Sequence, residues 1–345
     1  MFTHVMTEQD ALRLKAFIEE NQRFLVVAHV SPDGDAMGST LALAHFLQGQ
    51  GKEVAVVMPN SYPDFLAWLP GAREIVLHDR ETERANGFIE RAQAIFCLDF
   101  NDFSRVAQME QKLSGREVPK ILIDHHLDPS DDFDVTVSHP DKSSTCELLF
   151  LVLAQLGYNE ALTEEECTCL YTGMMTDTGG FTYNSNRSEI FMIIAELLKR
   201  GIDKDKIYRN VFYNYSEQRF RLMGYILYTK MKYMPQYHAS LLTLTRQEQK
   251  LFSHVKGDTE GFVNIPLQIK GAKLSISLRE DTEKPGCVRV SLRSVDDFPC
   301  NKMAAEFFNG GGHLNASGGE LRCSMDEAEE IVAKALAQYA PLLTV

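Results

Sequence analysis

Short apolar runs alternate with amphipathic, helix-length segments through the first half of the chain. Phe24–Ala28, Glu53–Met58, Glu74–Leu77, Ala94–Asp99 and Lys120–Asp124 carry the branched apolar character of strands. Ser39 to about Gln50, with Gly51 as its C-terminal cap, reads as a helix, as do Glu81–Ala92, Phe103–Leu113 and Glu164–Met175. Strand, helix, strand at this spacing predicts a largely parallel sheet with helices on both faces. The segment 1–21 has the pattern of a charged amphipathic helix, opened by Thr7 and Asp10. Past residue 177 the alternation stops. Asn186–Arg200, Lys204–Val211 and a long stretch, Ser216–Met234, read as helices, the last with Phe220, Met223, Ile226, Leu227 and Met231 on related faces. Strands return at Ala239–Thr245, Ala272–Glu280 and Cys287–Ser294, the last two joined as a hairpin, and helices follow at Asn301–Phe308 and Met325–Tyr339. The pattern predicts an α/β chain in three parts: a largely parallel sheet flanked by helices (1–190), a helical linker (191–235) and a smaller C-terminal α/β domain (236–345).

Composition narrows the function classes. At 345 residues the chain is long for one core, which agrees with two domains. Its 44% hydrophobic and 24% charged residues are those of an ordinary globular protein. A formal charge of −13, from 48 acidic and 35 basic side chains, argues against a long nucleic-acid groove, which needs clustered Lys and Arg. It leaves room for a small phosphate ligand held through cations, because carboxylates that cage cations count as negative charge. Seven cysteines without a C-x-x-C pair fit free thiols in a reducing compartment. The N-terminal stretch lacks the apolar core of a signal sequence, and the longest apolar run, Leu148–Leu156, is too short to cross a bilayer. A soluble, cytoplasmic protein with no membrane partner is the expectation.

Chemistry gathers where the apolar runs stop. The first ends on His29, with Asp33 and Asp35 in the turn that follows; another ends on Asp99; a third ends on Asp124-His125-His126. A helical stretch then delivers Asp177 just before Gly179-Gly180. Taken singly, each aspartate reads equally well as a helix cap or turn former. Recurrence at one structural location is what independent caps would not produce, and in an open parallel sheet those strand ends face one crevice. Carboxylates so close together repel unless a cation or shared proton lies between them. Mixed carboxylate and imidazole donors suit manganese or iron better than magnesium.

His29-x-x-x-Asp33-x-Asp35, Asp99, Asp124-His125-His126 and Asp177 resemble the motifs of the DHH phosphoesterase superfamily, and Gly310-Gly-Gly-His-Leu-Asn-Ala-Ser-Gly-Gly319 resembles the signature of the DHHA1 domain. Together they resemble the NrnA-like branch, the nanoRNases and pAp phosphatases. The resemblance implies a catalytic centre of two divalent metal ions, Mn2+ foremost. His29 and Asp33 would hold one ion, Asp35, His125 and Asp177 the other, and Asp99 would bridge them. His126 would face the scissile phosphate and Asp124 would orient its neighbours. On the second domain, Arg293, Ser294, Gly310, Gly311, Gly312, His313, Ser317 and Gly318 would bind substrate, the glycines by letting bare amides approach an anion. Arg279, Arg105 and His139 are further candidate phosphate contacts, and Ser143-Ser-Thr145 is a candidate helix cap.

The implied reaction is in-line attack on phosphorus by a hydroxide generated between the two ions, in a cleft between the domains. The implied substrates are very short RNA oligonucleotides and 3'-phosphoadenosine 5'-phosphate, and a homodimer is the assembly it suggests. The rival activities are a cyclic-dinucleotide or linear-dinucleotide phosphodiesterase; a non-catalytic nucleotide-binding module is the rival from another class. An inorganic pyrophosphatase shares the metal motifs, but its second domain lacks the glycine signature.

Overall fold

In the computed structural model, which describes residues 2–255 and 257–343, the chain divides into two units, Met1–Asn214 and Tyr215–Val345. The division falls inside the stretch read as a linker. Unit 1 runs α1 (Glu8–Glu20), β1 (Arg23–Val27), α2 (Gly34–Gly49), β2 (Glu53–Met58), β3 (Val76–Leu77), α3 (Thr82–Arg91), β4 (Ala94–Leu98), α4 (Glu110–Ser114), β5 (Lys120–Asp124), β6 (Val135–Ser138), α5 (Thr145–Gln155), α6 (Glu164–Asp177), α7 (Ser188–Lys199) and α8 (Lys204–Phe212). Its strands pair in parallel in the order β3-β2-β1-β4-β5-β6.

Both faces of this sheet are covered, which is why its central strands are continuous apolar runs and not alternating ones. Phe24 and Val26 of β1 enter the core shared with α2, α5 and α6, while Leu25 and Val27 enter a second core with Ala85 and Ile89 of α3. Helix α5 is buried on every side from Leu148 to Leu153, so the longest apolar run of the chain is a core helix.

Local chemistry moves several expected boundaries. Helix α2 begins at Gly34, not at Ser39, because the Asp33 carboxylate accepts from the amides of Asp35 and Ala36 at 3.0 and 3.1 Å and caps it. The stretch expected as a helix over 103–113 is a 3-10 segment broken at Ala107, whose φ is +49°, and followed by the short α4. Strand β6 lies outside the expected elements; it is a four-residue edge strand whose Val135 and Val137 enter the core while Thr136 between them is exposed.

Unit 2 runs α9 (Glu217–Tyr225), β7 (Lys232–Met234), β8 (Ala239–Leu244), α10 (Arg246–Leu251), β9 (Leu274–Glu280), β10 (Val288–Ser294), α11 (Cys300–Phe307), β11 (Gly311–Gly312), β12 (Ala316–Leu321) and α12 (Met325–Leu343). The strand order is β11-β12-β10-β9-β8-β7, with only the β8–β9 pair parallel. Leu274, Ile276 and Leu278 pack under α11 and α12, whereas Leu242 and Leu244 pack on the other face with Leu222 and Phe262. The long helix expected over 216–234 stops at Tyr225: a π-helical turn, Ile226–Lys230, follows, and Lys232–Met234 is drawn off the helix into pairing with Ala239–Leu241. Among the described residues no helix is long and apolar enough to cross a membrane, and all seven cysteines are unpaired.

Candidate metal centre

The strand order of unit 1 reverses direction at the β1–β4 pair, and in an open parallel sheet the crevice at such a switch point is where ligands bind. His29 leaves the end of β1 and Asp99 the end of β4, so the two side chains meet there: His29 Nε2 lies 3.3 Å from Asp99 Oδ2. Asp99 holds a left-handed backbone, φ +63°, a conformation that aspartate adopts more readily than most non-glycine residues. From β5, His125 Nε2 stands 3.7 Å from Asp99 Oδ1, 3.9 Å from Asp35 Oδ2 and 3.4 Å from Asp177 Oδ2. The donors converge in two main groups, His29–Asp33–Asp99 and Asp35–His125–Asp177, with ligand atoms inside each group within 4.8 Å of one another. A third group, Asp99–His125–His126, meets the same condition.

The tautomers favour ligation. The Nδ1 of His29 donates to the Val30 carbonyl at 2.8 Å and that of His125 to the Lys142 carbonyl at 3.3 Å, so both rings turn Nε2 inward, where it can ligate once it has lost its proton. His126 is held differently: its Nδ1 donates to the buried Asp124 carboxylate at 2.7 Å, which fixes the ring.

Residues 23–174 match the DHH family N-terminal domain and residues 250–340 match the DHHA1 domain. The chain is 30% identical over 312 residues to the bifunctional oligoribonuclease and PAP phosphatase NrnA of Thermus thermophilus, covering 90% of this chain and 88% of that one. The chain belongs to the DHH/DHHA1 family. Its structure superposes on that of an exopolyphosphatase-related protein from Bacteroides fragilis with a TM-score of 0.97, at 51% identity and over 100% of both chains. The fold alone is shared with RecJ from Thermus thermophilus, crystallised with Mn2+: TM-score 0.55, 14% identity, 96% of this chain and 54% of that one.

In the DHH unit, tight helix crossing brings Asp35 and Asp177 to one place, since Asp35 lies in the first turn of α2 and α6 closes on Asp177. A Cβ on Gly173 of α6 would run into Cys146 Sγ and stand 2.8 Å from Asp35 Oδ1, and one on Gly38 of α2 would meet the Cys169 carbonyl oxygen at 2.5 Å. Gly173→Ala is therefore expected to overpack the crossing, lowering unfolding free energy by about 2 kcal/mol and weakening divalent-cation binding by displacing Asp35. Urea denaturation and a Mn2+ titration check this; unchanged stability would mean that the crossing has slack.

Electrostatics test whether these residues fit cations. Burial, and then the charge of Asp99, pushes Asp35 up to about 8. Burial and the charge of Asp35 likewise raise Asp177. Burial alone would depress His29, but its hydrogen bond and charge contact with Asp99 outweigh that and push it up to about 9. Asp99, although buried, is held well below the usual carboxylate range by His29 and then His125. Four carboxylates and two inward imidazole Nε2 atoms thus share a space where the acids cannot all ionise by themselves, and this donor set fits divalent cations that take the place of the protons. Cations entering it displace protons, so their binding strengthens as pH rises.

The DHHA1 residues gather on three adjacent strands. Arg293 on β10 pairs in register with Ala316 on β12, Leu292 with Ser317 and Ser291 with Gly318, while Gly311 and Gly312 of β11 pair with Gly318 and Ser317. Several are engaged within the unit itself. The Ser294 hydroxyl donates to the Phe298 carbonyl and accepts from Asn315, and Ser317 donates to the His313 carbonyl. The amides of Gly310 and His313 donate to Ala304 and Ala316 carbonyls, so these two are not bare, contrary to the sequence expectation. Close chain approach is the reason for glycine at position 310: a Cβ there would collide with the Gly318 carbonyl. His139 is not aimed at a phosphate either, since its Nε2 donates to the Val5 carbonyl at 2.8 Å.

Sequence reasoning missed the support behind the cluster. The amides of Thr145 and Cys146, at the start of α5, donate to the two Asp35 oxygens at 2.6 and 2.9 Å, and the Thr145 hydroxyl donates to Asp99 Oδ1 at 2.9 Å. The signal was present in Ser144-Thr-Cys-Glu147, where Ser144 is the cap, accepting from the Glu147 amide at 3.0 Å.

Proposed function

We propose that this chain is a two-metal phosphoesterase that hydrolyses short RNA oligonucleotides and 3'-phosphoadenosine 5'-phosphate. The observation that carries the reading is the position of Asp99, whose Oδ2 faces His29 while its Oδ1 faces His125, so that one carboxylate serves both groups of donors. His29, Asp33 and Asp99 would hold one ion; Asp35, His125, Asp177 and Asp99 the other. Bound there, two divalent cations supply Lewis-acid polarisation of the phosphoryl group and a water acidic enough to react near neutral pH. The mixture of imidazole and carboxylate supports Mn2+ as the ion.

His126 acts beside them. With Nδ1–H donated to Asp124, the ring is fixed, and its Nε2 would hold or deliver a proton at the phosphoryl or leaving oxygen. In the DHHA1 unit we assign the nucleotide phosphate to Arg293, with His313 and the β11–β12 glycines beside it; Arg293 is half-buried on β10, its Nη1 donates to the Leu292 carbonyl at 2.9 Å, and a guanidinium is the group that best matches a phosphate. Short substrates reconcile the acidic composition with a nucleic-acid substrate, because few phosphates need neutralising. The seven unpaired cysteines support a reducing, cytoplasmic setting.

The test is to strip the protein with a chelator, then supply pApA, pAp or cyclic di-AMP with and without Mn2+ and separate the products by chromatography. Turnover of pApA and pAp that requires Mn2+ is the expected result. Faster turnover of cyclic di-AMP would make the cyclic-dinucleotide phosphodiesterase the better reading, and hydrolysis of none would leave a nucleotide-binding module.

A further inference from the structure

We propose that Thr145 is a positioning residue of the centre, whose hydroxyl sets the rotation of the bridging Asp99 carboxylate so that one oxygen faces each group of donors. The proposal rests on the two-cation reading given above.

Thr145 is the first residue of α5 and is fully buried. Its hydroxyl is not needed to cap the helix, because Ser144 does that. The hydroxyl instead reaches 2.9 Å across to Asp99 Oδ1, the oxygen on the His125 side, while Oδ2 is the oxygen on the His29 side. An aspartate turns easily about its last torsion, which is broad and two-fold. A donor fixed on Oδ1 restrains that torsion from the His125 side, and since a carboxylate oxygen has two lone pairs, Oδ1 keeps one for a cation. The donor is itself stiff: a β-branched side chain in the first turn of a buried helix has few rotamers. The Thr145 amide meanwhile holds Asp35 Oδ2 at 2.6 Å, so one residue is tied to a carboxylate from each donor group. Without the hydroxyl, Asp99 could turn both oxygens to one side and leave the other group short of a ligand.

The experiment compares full-length wild-type protein with Thr145→Val, which is nearly isosteric but lacks the donor, and Thr145→Ser, which keeps it. Mn2+ is titrated into each metal-free protein, and low-temperature electron paramagnetic resonance distinguishes an exchange-coupled pair from isolated ions. Wild type and Thr145→Ser are expected to give a coupled spectrum at two ions per chain. Thr145→Val is expected to bind the second ion about tenfold or more weakly and to show the six-line signal of isolated Mn2+. Thr145→Ala takes its place if the valine variant does not fold. A coupled pair of wild-type affinity in the variant lacking the hydroxyl overturns the proposal and leaves the two-cation reading intact. An uncoupled signal in saturated wild type overturns both.

Discussion

Replacing Asp99 by asparagine is expected to lower kcat on pApA by about a thousandfold or more at saturating Mn2+, equivalent to about 4 kcal/mol of transition-state stabilisation. The size follows from position. Asp33, Asp35 and Asp177 each belong to one group of donors, whereas Asp99 stands between His29 on one side and His125 on the other. Asparagine keeps the shape and can still accept from Thr145, but it removes the negative charge that both groups share and presents one oxygen where there were two. The left-handed backbone at position 99 is tolerated by asparagine as readily as by aspartate, so the fold should survive the change. Circular dichroism confirms folding, and steady-state kinetics reads the loss. Turnover within about tenfold of wild type would mean that the carboxylate does not serve both ions.

The second large effect lies outside the proposed ligands. Arg187→Ala is expected to lower the unfolding free energy of unit 1 by about 3 kcal/mol. Glu147 has no exposed side-chain surface, and Arg187 Nη2 lies 2.7 and 2.6 Å from its two oxygens. Removing the guanidinium leaves a buried carboxylate whose remaining donors are the Ser143 amide and hydroxyl, at 2.8 and 2.7 Å; these soften the penalty without neutralising the charge. Glu147 sits in the first turn of α5, beside the amides that hold Asp35, so metal affinity should fall along with stability. Urea denaturation measures the loss, and adding Glu147→Gln should recover part of it by removing the stranded charge. A loss below about 1 kcal/mol would place this pair with ordinary surface ion pairs.

These two sites also mark where reading the chain succeeds and where it stops. His29, Asp99 and the Asp124-His125-His126 run could be picked out without a structure because each follows a buried parallel strand, and a continuous apolar run ending in a polar side chain is a local pattern. Strand–helix alternation in the first half is equally local. Boundaries went astray where one side chain outcompetes periodicity, as when Asp33 caps α2 at Gly34 or when β8 captures Lys232–Met234 from the end of a helical pattern.

Strand order, by contrast, depends on which pairings win among several of similar composition, and it is the β1–β4 reversal that creates the crevice. The partners of the ligands are likewise remote in the chain: Thr145 and Asp99 are 46 residues apart, Cys146 and Asp35 are 111 apart, and Arg187 and Glu147 are 40 apart. Hydrophobic period reports how much of each residue is buried, whereas a hydrogen bond between distant segments exists only once helices have crossed at close range, here through Gly38 and Gly173. The identities of the proposed metal donors are therefore written locally along the chain, and their orientation is imposed by the packing of α2, α5 and α6 around them.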